Sequence, residues 1–177
     1  MRKRAMLTAL ILLTMAGSRF MAERPATPAA VFEQFQKLAG KWNGKSTKGW
    51  EEGVTIKSIA GGSVVEFSSF DAHPGEEMRT LMHMDDERLV LTHYCIAQNQ
   101  PRLAATSIEQ DGRQVTFTFQ GATNLPSRDR GHMDKVVYRF DDEGHFSSQW
   151  TWYQDGGEQW MEEIHYHRVN EKPRSGG

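Results

Sequence analysis

Apolar and polar residues alternate with period two along most of the chain after residue 40. The clearest case is QVTFTFQ (114–120), where Val115, Phe117 and Phe119 fall on one side and Gln114, Thr116, Thr118 and Gln120 on the other. That is the pattern of a strand with one buried face. HFSSQWTWY (145–153) repeats it, with Phe146, Ser148, Trp150 and Trp152 opposite His145, Ser147, Gln149, Thr151 and Tyr153. Turn-forming residues interrupt at short intervals: Gly61-Gly62, His73-Pro74-Gly75, Asp85-Asp86, Asn99-Gln100-Pro101, Asp111-Gly112, Asp142-Glu143-Gly144 and Asp155-Gly156-Gly157. The breaks delimit roughly ten strands, at 41–48, 53–60, 63–70, 77–84, 88–96, 102–110, 113–120, 133–141, 145–153 and 159–168. Strands at this spacing, with no second helical layer and no repeat, predict an all-β antiparallel sandwich or barrel. One segment departs from the rhythm. In VFEQFQKLAGKW (31–42), Val31, Phe32, Phe35, Leu38 and Ala39 recur at helical spacing, and Gly40 provides a stop. A long connection, GATNLPSRDRGH (121–132), reads as a lid or rim element, or as a mobile surface loop.

The N-terminus changes the picture of what folds. MRKR is followed by the apolar run AMLTALILLTMAG and then by the small, proline-bearing SRFMAERPATPAA. A basic start and an apolar run too short to span a bilayer form the secretory signal pattern. Cleavage is expected after Ser18 or after Ala22, and an uncleaved anchor is the alternative. No cysteine follows the run, which speaks against a lipid-anchored form. The chain of 177 residues therefore divides into a signal peptide (1–22), a linker (23–30), one barrel domain (31–169) and a disordered tail (170–177). The expected address is the periplasm or the medium, with no membrane insertion after cleavage.

Composition (38% hydrophobic, 25% charged) suits a soluble domain with a sizeable core. Loss of Arg2, Lys3 and Arg4 takes the formal charge from −2 to −5. A mildly acidic domain with scattered lysines and arginines lacks the clustered basic surface that nucleic acid requires. The single cysteine, Cys95, lies in LTHYCIAQNQPRL (91–103). An unpaired thiol in an oxidising compartment is best buried, metal-bound, chemically used or joined to another chain.

The opening helix running into LAGKWNGK (38–45) resembles the G-x-W start of lipocalin-like, calycin-type barrels. LTHYCIAQNQPRL, TNLPS…GHM (123–133) and FSSQWTWYQDG (146–156), in this order, are similar to a family of small, largely uncharacterised and often exported bacterial lipocalin-like proteins. The similarity spans about residues 32–168. It implies a meander barrel with an internal cavity, a tryptophan plugging the closed end, and no established reaction.

The candidate chemistry centres on 91–103 read as a hairpin. If Ile96 opposes Pro101, then Cys95 faces Arg102, His93 faces Ala104, Leu91 faces Thr106 and Leu89 faces Ile108. One face would be apolar far from the turn and reactive near it. The argument depends on register, because a shift by one residue separates Cys95 from Arg102. On this reading His93, Cys95 and Arg102 meet the polar or anionic head of a small, partly apolar ligand. Asn99, Gln100, Asn124 and His132 line the entrance, and Arg102 favours the thiolate of Cys95.

Three other arrangements stay open. A metal could sit between His93-x-Cys95 and His165-x-His167, with His132 or His83 as substitutes. Cys95 could act as a nucleophile with a base such as His132, since His93 diverges from it along the strand. Haem could use the histidines of EEIHYHRV, unless both face solvent. The leading expectation is an exported small-molecule-binding barrel with no cofactor, no catalytic residues and no metal site. Its rivals are a metal-dependent or thiol-based enzyme, and an envelope protein with a filled barrel.

Overall fold

The computed structural model describes residues 26–70 and 75–169. The expected signal peptide, linker residues 23–25 and the tail lie outside the described residues. The chain forms one helix, α1 (Pro28–Lys37), and ten strands. These are β1 (Gly40–Ser46), β2 (Glu51–Ile59), β3 (Val64–Ser69), β4 (Met78–Asp85), β5 (Arg88–Tyr94), β6 (Gln100–Glu109), β7 (Gln114–Thr123), β8 (His132–Asp142), β9 (His145–Gln154) and β10 (Gly157–Arg168). Each strand pairs antiparallel with its sequence neighbours, and β1 also pairs with β10, so the sheet closes into a barrel with no free edge.

The helix starts three residues earlier than the apolar spacing predicts. Thr27 caps it by accepting from the Ala30 amide at 3.2 Å, and Pro28 occupies the first turn, where its missing N–H costs nothing. Val31, Phe32 and Phe35 form its buried face. Phe35 lies within 4.9–6.3 Å, centroid to centroid, of Phe67, Phe117, Tyr138 and Phe140. The helix therefore plugs one end of the barrel.

Trp42 completes that closure. Its indole donates to the Leu38 carbonyl at 2.7 Å and its ring packs edge-on against Phe146 at 4.8 Å. Arg168 lies 4.3 Å over the indole and donates to the carbonyls of Lys37 and Ala39, both at 2.9 Å. The last β10 residue thus satisfies carbonyls that the helix end leaves open. A side chain at Gly40 would strike this guanidinium, since a Cβ there would sit 2.8 Å from it.

The alternation reads out as expected on most strands. β5 buries Leu89, Leu91 and His93, and β7 buries Val115 and Phe117. It fails where the register shifts. The β6–β7 pairing slips between Arg102 and Leu103, and the β8–β9 pairing between Met133 and Lys135. Phe119, which periodicity places beside Phe117, instead packs at a tilt against His132, with ring centroids 4.6 Å apart.

Candidate functional site

The hairpin register differs from the sequence expectation and dismantles the Cys95–Arg102 site. The observed partners are Val90 with Ala104, Leu91 with Leu103, and Thr92 with Arg102. Cys95 already belongs to the turn: its carbonyl accepts from Gln98 at 2.9 Å and its amide donates to Asn99 at 3.3 Å. Gln98 takes a positive φ of 63° to allow this. The longer turn moves the ladder by an odd number of residues, which inverts the faces of one strand relative to the other. Arg102 is consequently exposed on the outer wall while His93 points inward. Burial raises the Cys95 thiol, opposed weakly by the backbone amides of Ala97 and Ile96, so no arginine holds it as a thiolate.

The remaining expected residues collect at two other places. Asn99, Gln100 and Asn124 line an open groove together with Arg130, Trp152 and Asp155. There Asn124 donates to the Gln100 side chain at 3.1 Å, and Asn99 donates to the Gly131 carbonyl at 2.9 Å. His132 is fully buried under the 124–131 loop. Its Nδ1 donates to the Arg130 carbonyl at 2.6 Å and its Nε2 accepts from Arg128. Arg128 also pairs with Asp134 and lies between the rings of Phe119 (4.5 Å) and Tyr153 (3.9 Å). This stacked guanidinium fastens the long loop to the wall. With both ring nitrogens engaged, His132 has none left to serve Cys95 as a base.

The metal and haem arrangements are not assembled either. His165 and His167 are exposed on β10, facing away from His93. Among the described residues, no group of three or more His, Cys, Asp or Glu is placed to hold a metal ion.

The interior itself holds a cavity that takes in one expected residue, His93, together with others that the sequence reading missed. Between the helix plug and the opposite end lies a cavity of about 140 Å³. Its walls carry seven aromatic rings, among them Trp50, Phe70, Tyr138 and Trp150, and a set of polar groups: Glu52, Glu162, His93, Thr80, Ser69, Ser148 and Tyr166. Trp50 precedes β2 and Phe70 follows β3, and their rings meet at 5.3 Å at the end away from the helix.

Three adjacent strands build the carboxyl centre. Gly44 on β1 pairs with Tyr166 on one side and Glu52 on the other. Having no side chain, Gly44 lets the Tyr166 ring cross it, and the phenol donates to Glu52 Oε1 at 2.8 Å. Since the phenolic hydrogen goes to Glu52, Ser148 supplies the donor in its 3.4 Å contact with the Tyr166 oxygen. Glu52 Oε2 has no hydrogen-bond partner. Burial pushes the Glu52 carboxyl up to about 7; the bond from Tyr166 and the Phe70 backbone amide oppose this, and the nearby charge of Glu162 adds to it. Burial and then the Glu52 charge likewise raise the phenols of Tyr138 and Tyr166.

His93 stands on β5 in the same cavity. Its Nδ1 shares a hydrogen with Thr80 Oγ1 at 2.9 Å, and its ring lies 4.8 Å from that of Trp150. Burial lowers it to about 4, which keeps it neutral at physiological pH. Its Nε2, like Glu52 Oε2, has no partner. Buried polar atoms without partners are uncommon and costly. Two of them line one cavity here.

Gly44 offers a direct check on this arrangement. A Cβ at Gly44 would lie 2.7 Å from Tyr166 Cε1 and 2.9 Å from Ile164 Cγ2. Gly44→Ala is expected to displace the tyrosine, break its bond to Glu52 and destabilise the fold by about 1–3 kcal/mol. Urea denaturation measures this, and an unchanged midpoint would show that the ring does not occupy the space over Gly44.

The sequence reading named His93 but missed Glu52 and Glu162, and a signal for all three exists in the sequence. Glu52 keeps step with Val54 and Ile56, Glu162 with Ile164 and Tyr166, and His93 with Leu89 and Leu91. Each is a polar residue in phase with the apolar face of its strand. Neither the scan against protein-family models nor the search of curated proteins finds a match to this chain.

Proposed function

We propose that this protein is an exported, lipocalin-like carrier or sensor of a small, partly apolar molecule, bound inside the barrel. The supporting observation is the cavity lined by seven aromatic rings and by two unpartnered buried atoms, Glu52 Oε2 and His93 Nε2. Unpartnered polar groups in an apolar cavity are the points where a ligand's own donor or acceptor is held. The polar head of the ligand meets Glu52 and His93 rather than Arg102, which lies outside the barrel. Cys95 and the groove at Asn99, Gln100 and Asn124 sit near the mouth and contribute to entry rather than to binding.

Native mass spectrometry of the full chain, before and after incubation with cell extract, tests this reading. The expected spectrum contains a small-molecule adduct that disappears in Ser148→Phe, where a ring fills the cavity. Absence of any adduct, or its persistence in the filled variant, would remove the interior as the site. N-terminal sequencing of protein from the envelope or medium checks export. A chain beginning after residue 18 or 22 is expected there.

A further inference from the structure

We infer that the interior site selects a small organic ammonium, bearing one compact apolar group, over neutral or anionic molecules of the same shape. The inference rests on the binding reading above and specifies its ligand.

The first reason is charge. The cavity wall contains two carboxyl groups, Glu52 and Glu162, and no lysine or arginine among its described lining residues. Glu162 pairs at 3.3 Å with Lys48. The charged group that acts on Glu52 is Glu162, of the same sign. An ammonium gives Glu52 the opposite charge that its surroundings do not supply. A carboxylate or phosphate ligand would meet repulsion with no compensating cation.

The second reason is the wall. Trp50, Phe67, Phe70, Tyr138, Phe146, Trp150 and Tyr166 all line the cavity, and the faces of aromatic rings attract cations. His93, the basic residue in the wall, is neutral and does not repel a cation. If its Nδ1 donates to Thr80, the free Nε2 becomes a second acceptor for an N–H.

Size sets the third limit. An apolar cavity of about 150 Å³ admits benzene, so a volume of about 140 Å³ accommodates a single ring or a short branched chain.

Binding also moves a proton. The groups facing Glu52 are Tyr166 and Glu162 on β10, Tyr138 on β8, His93 on β5 and the Phe70 amide after β3. The two phenols remain protonated, since burial and the Glu52 charge raise both, and His93 remains neutral between pH 6 and 8. Glu52 changes charge on ammonium binding: its carboxyl proton leaves to solvent, and the carboxylate pairs with the ligand cation. With a free-protein value of about 7, affinity should fall about tenfold from pH 8 to pH 6, with nearly one proton released per ligand at pH 6.

Isothermal titration calorimetry of the full-length protein with benzylamine, benzyl alcohol and benzoate tests the inference, using two buffers of different ionisation enthalpy at pH 6 and pH 8. Benzylamine should bind at pH 8 at least about tenfold more tightly than benzyl alcohol, with no heat from benzoate. Glu52→Gln should weaken benzylamine at least about tenfold at pH 8, while a urea midpoint no lower than that of wild type at the same pH shows that the variant is folded. Equal affinity for amine and alcohol, preference for benzoate, or a Glu52→Gln variant that keeps its benzylamine affinity would each overturn the ammonium assignment. In those cases binding lost in Ser148→Phe would leave the interior-carrier reading standing. Failure of all three probes also overturns the assignment, and the adduct measurement then decides the carrier reading by itself.

Discussion

Glu52→Gln is expected to raise the unfolding free energy at pH 8 by about 3 kcal/mol and to leave it nearly unchanged at pH 4.5. Burial lifts the Glu52 carboxyl from 4.5 to about 7 in the folded protein, and each pH unit of difference is worth about 1.4 kcal/mol. Between those values the native state still holds a proton that the unfolded chain has released. Stability therefore falls as pH rises through that window, and the loss is complete above it. Glutamine is neutral throughout and keeps an oxygen to accept from Tyr166, so the variant escapes the loss.

His93 works in the opposite direction. Its folded value of about 4 lies below the ordinary 6.5. As pH falls, the unfolded chain takes up the proton first, so this group contributes a stability that rises from pH 4 to 6.5. The two slopes oppose each other over most of the same interval. Removing Glu52 should uncover the His93 slope, visible as a steeper loss of stability on acidification. Urea denaturation of wild type and variant at pH 4.5, 6 and 8 measures both effects, and the comparison cancels the surface carboxylates common to the two. Equal stability at pH 8 would mean that Glu52 carries its charge without cost, contrary to its burial. A carboxyl group that weakens its own fold at neutral pH is the kind of residue that binding or catalysis retains.

Phe35→Ala is expected to cost about 3–5 kcal/mol. Phe35 is fully buried and contributes the aromatic centre of the helix plug, meeting Phe67, Phe117, Tyr138 and Phe140 from three strands. The surrounding strands are locked by barrel closure and cannot collapse onto the vacated volume, which places the cost toward the upper end. A folded domain is stable by only about 5–15 kcal/mol, so the variant should unfold at markedly lower urea. Tyr138 also lines the interior cavity, so the variant should loosen any ligand held there. A midpoint within error of wild type would mean that the helix is an attachment rather than part of the core.

Much of this architecture was legible along the chain because it rests on local rules. Period-two alternation located all ten strands within a few residues, and the break to helical spacing located α1. Trp42 took the plugging position implied by the family resemblance. The capping residue Thr27 and Pro28 extended the helix into what composition alone suggested was linker, because cap chemistry rather than apolar spacing sets where a helix begins.

The site was not legible in the same way. Cys95 and Arg102 lie seven positions apart in sequence, but whether they share a face depends on how many residues the turn consumes. The hydrogen bonds of Cys95 with Gln98 and Asn99 decided that against them. Glu52, His93 and Tyr166 lie far apart in sequence, and only closure of β1 onto β10 carries Tyr166 across Gly44 to Glu52. Alternation could tell that Glu52 and His93 pointed inward. That they face one cavity, with an oxygen and a nitrogen left unpartnered, follows from strand order and register, which join residues through the sheet rather than along the chain.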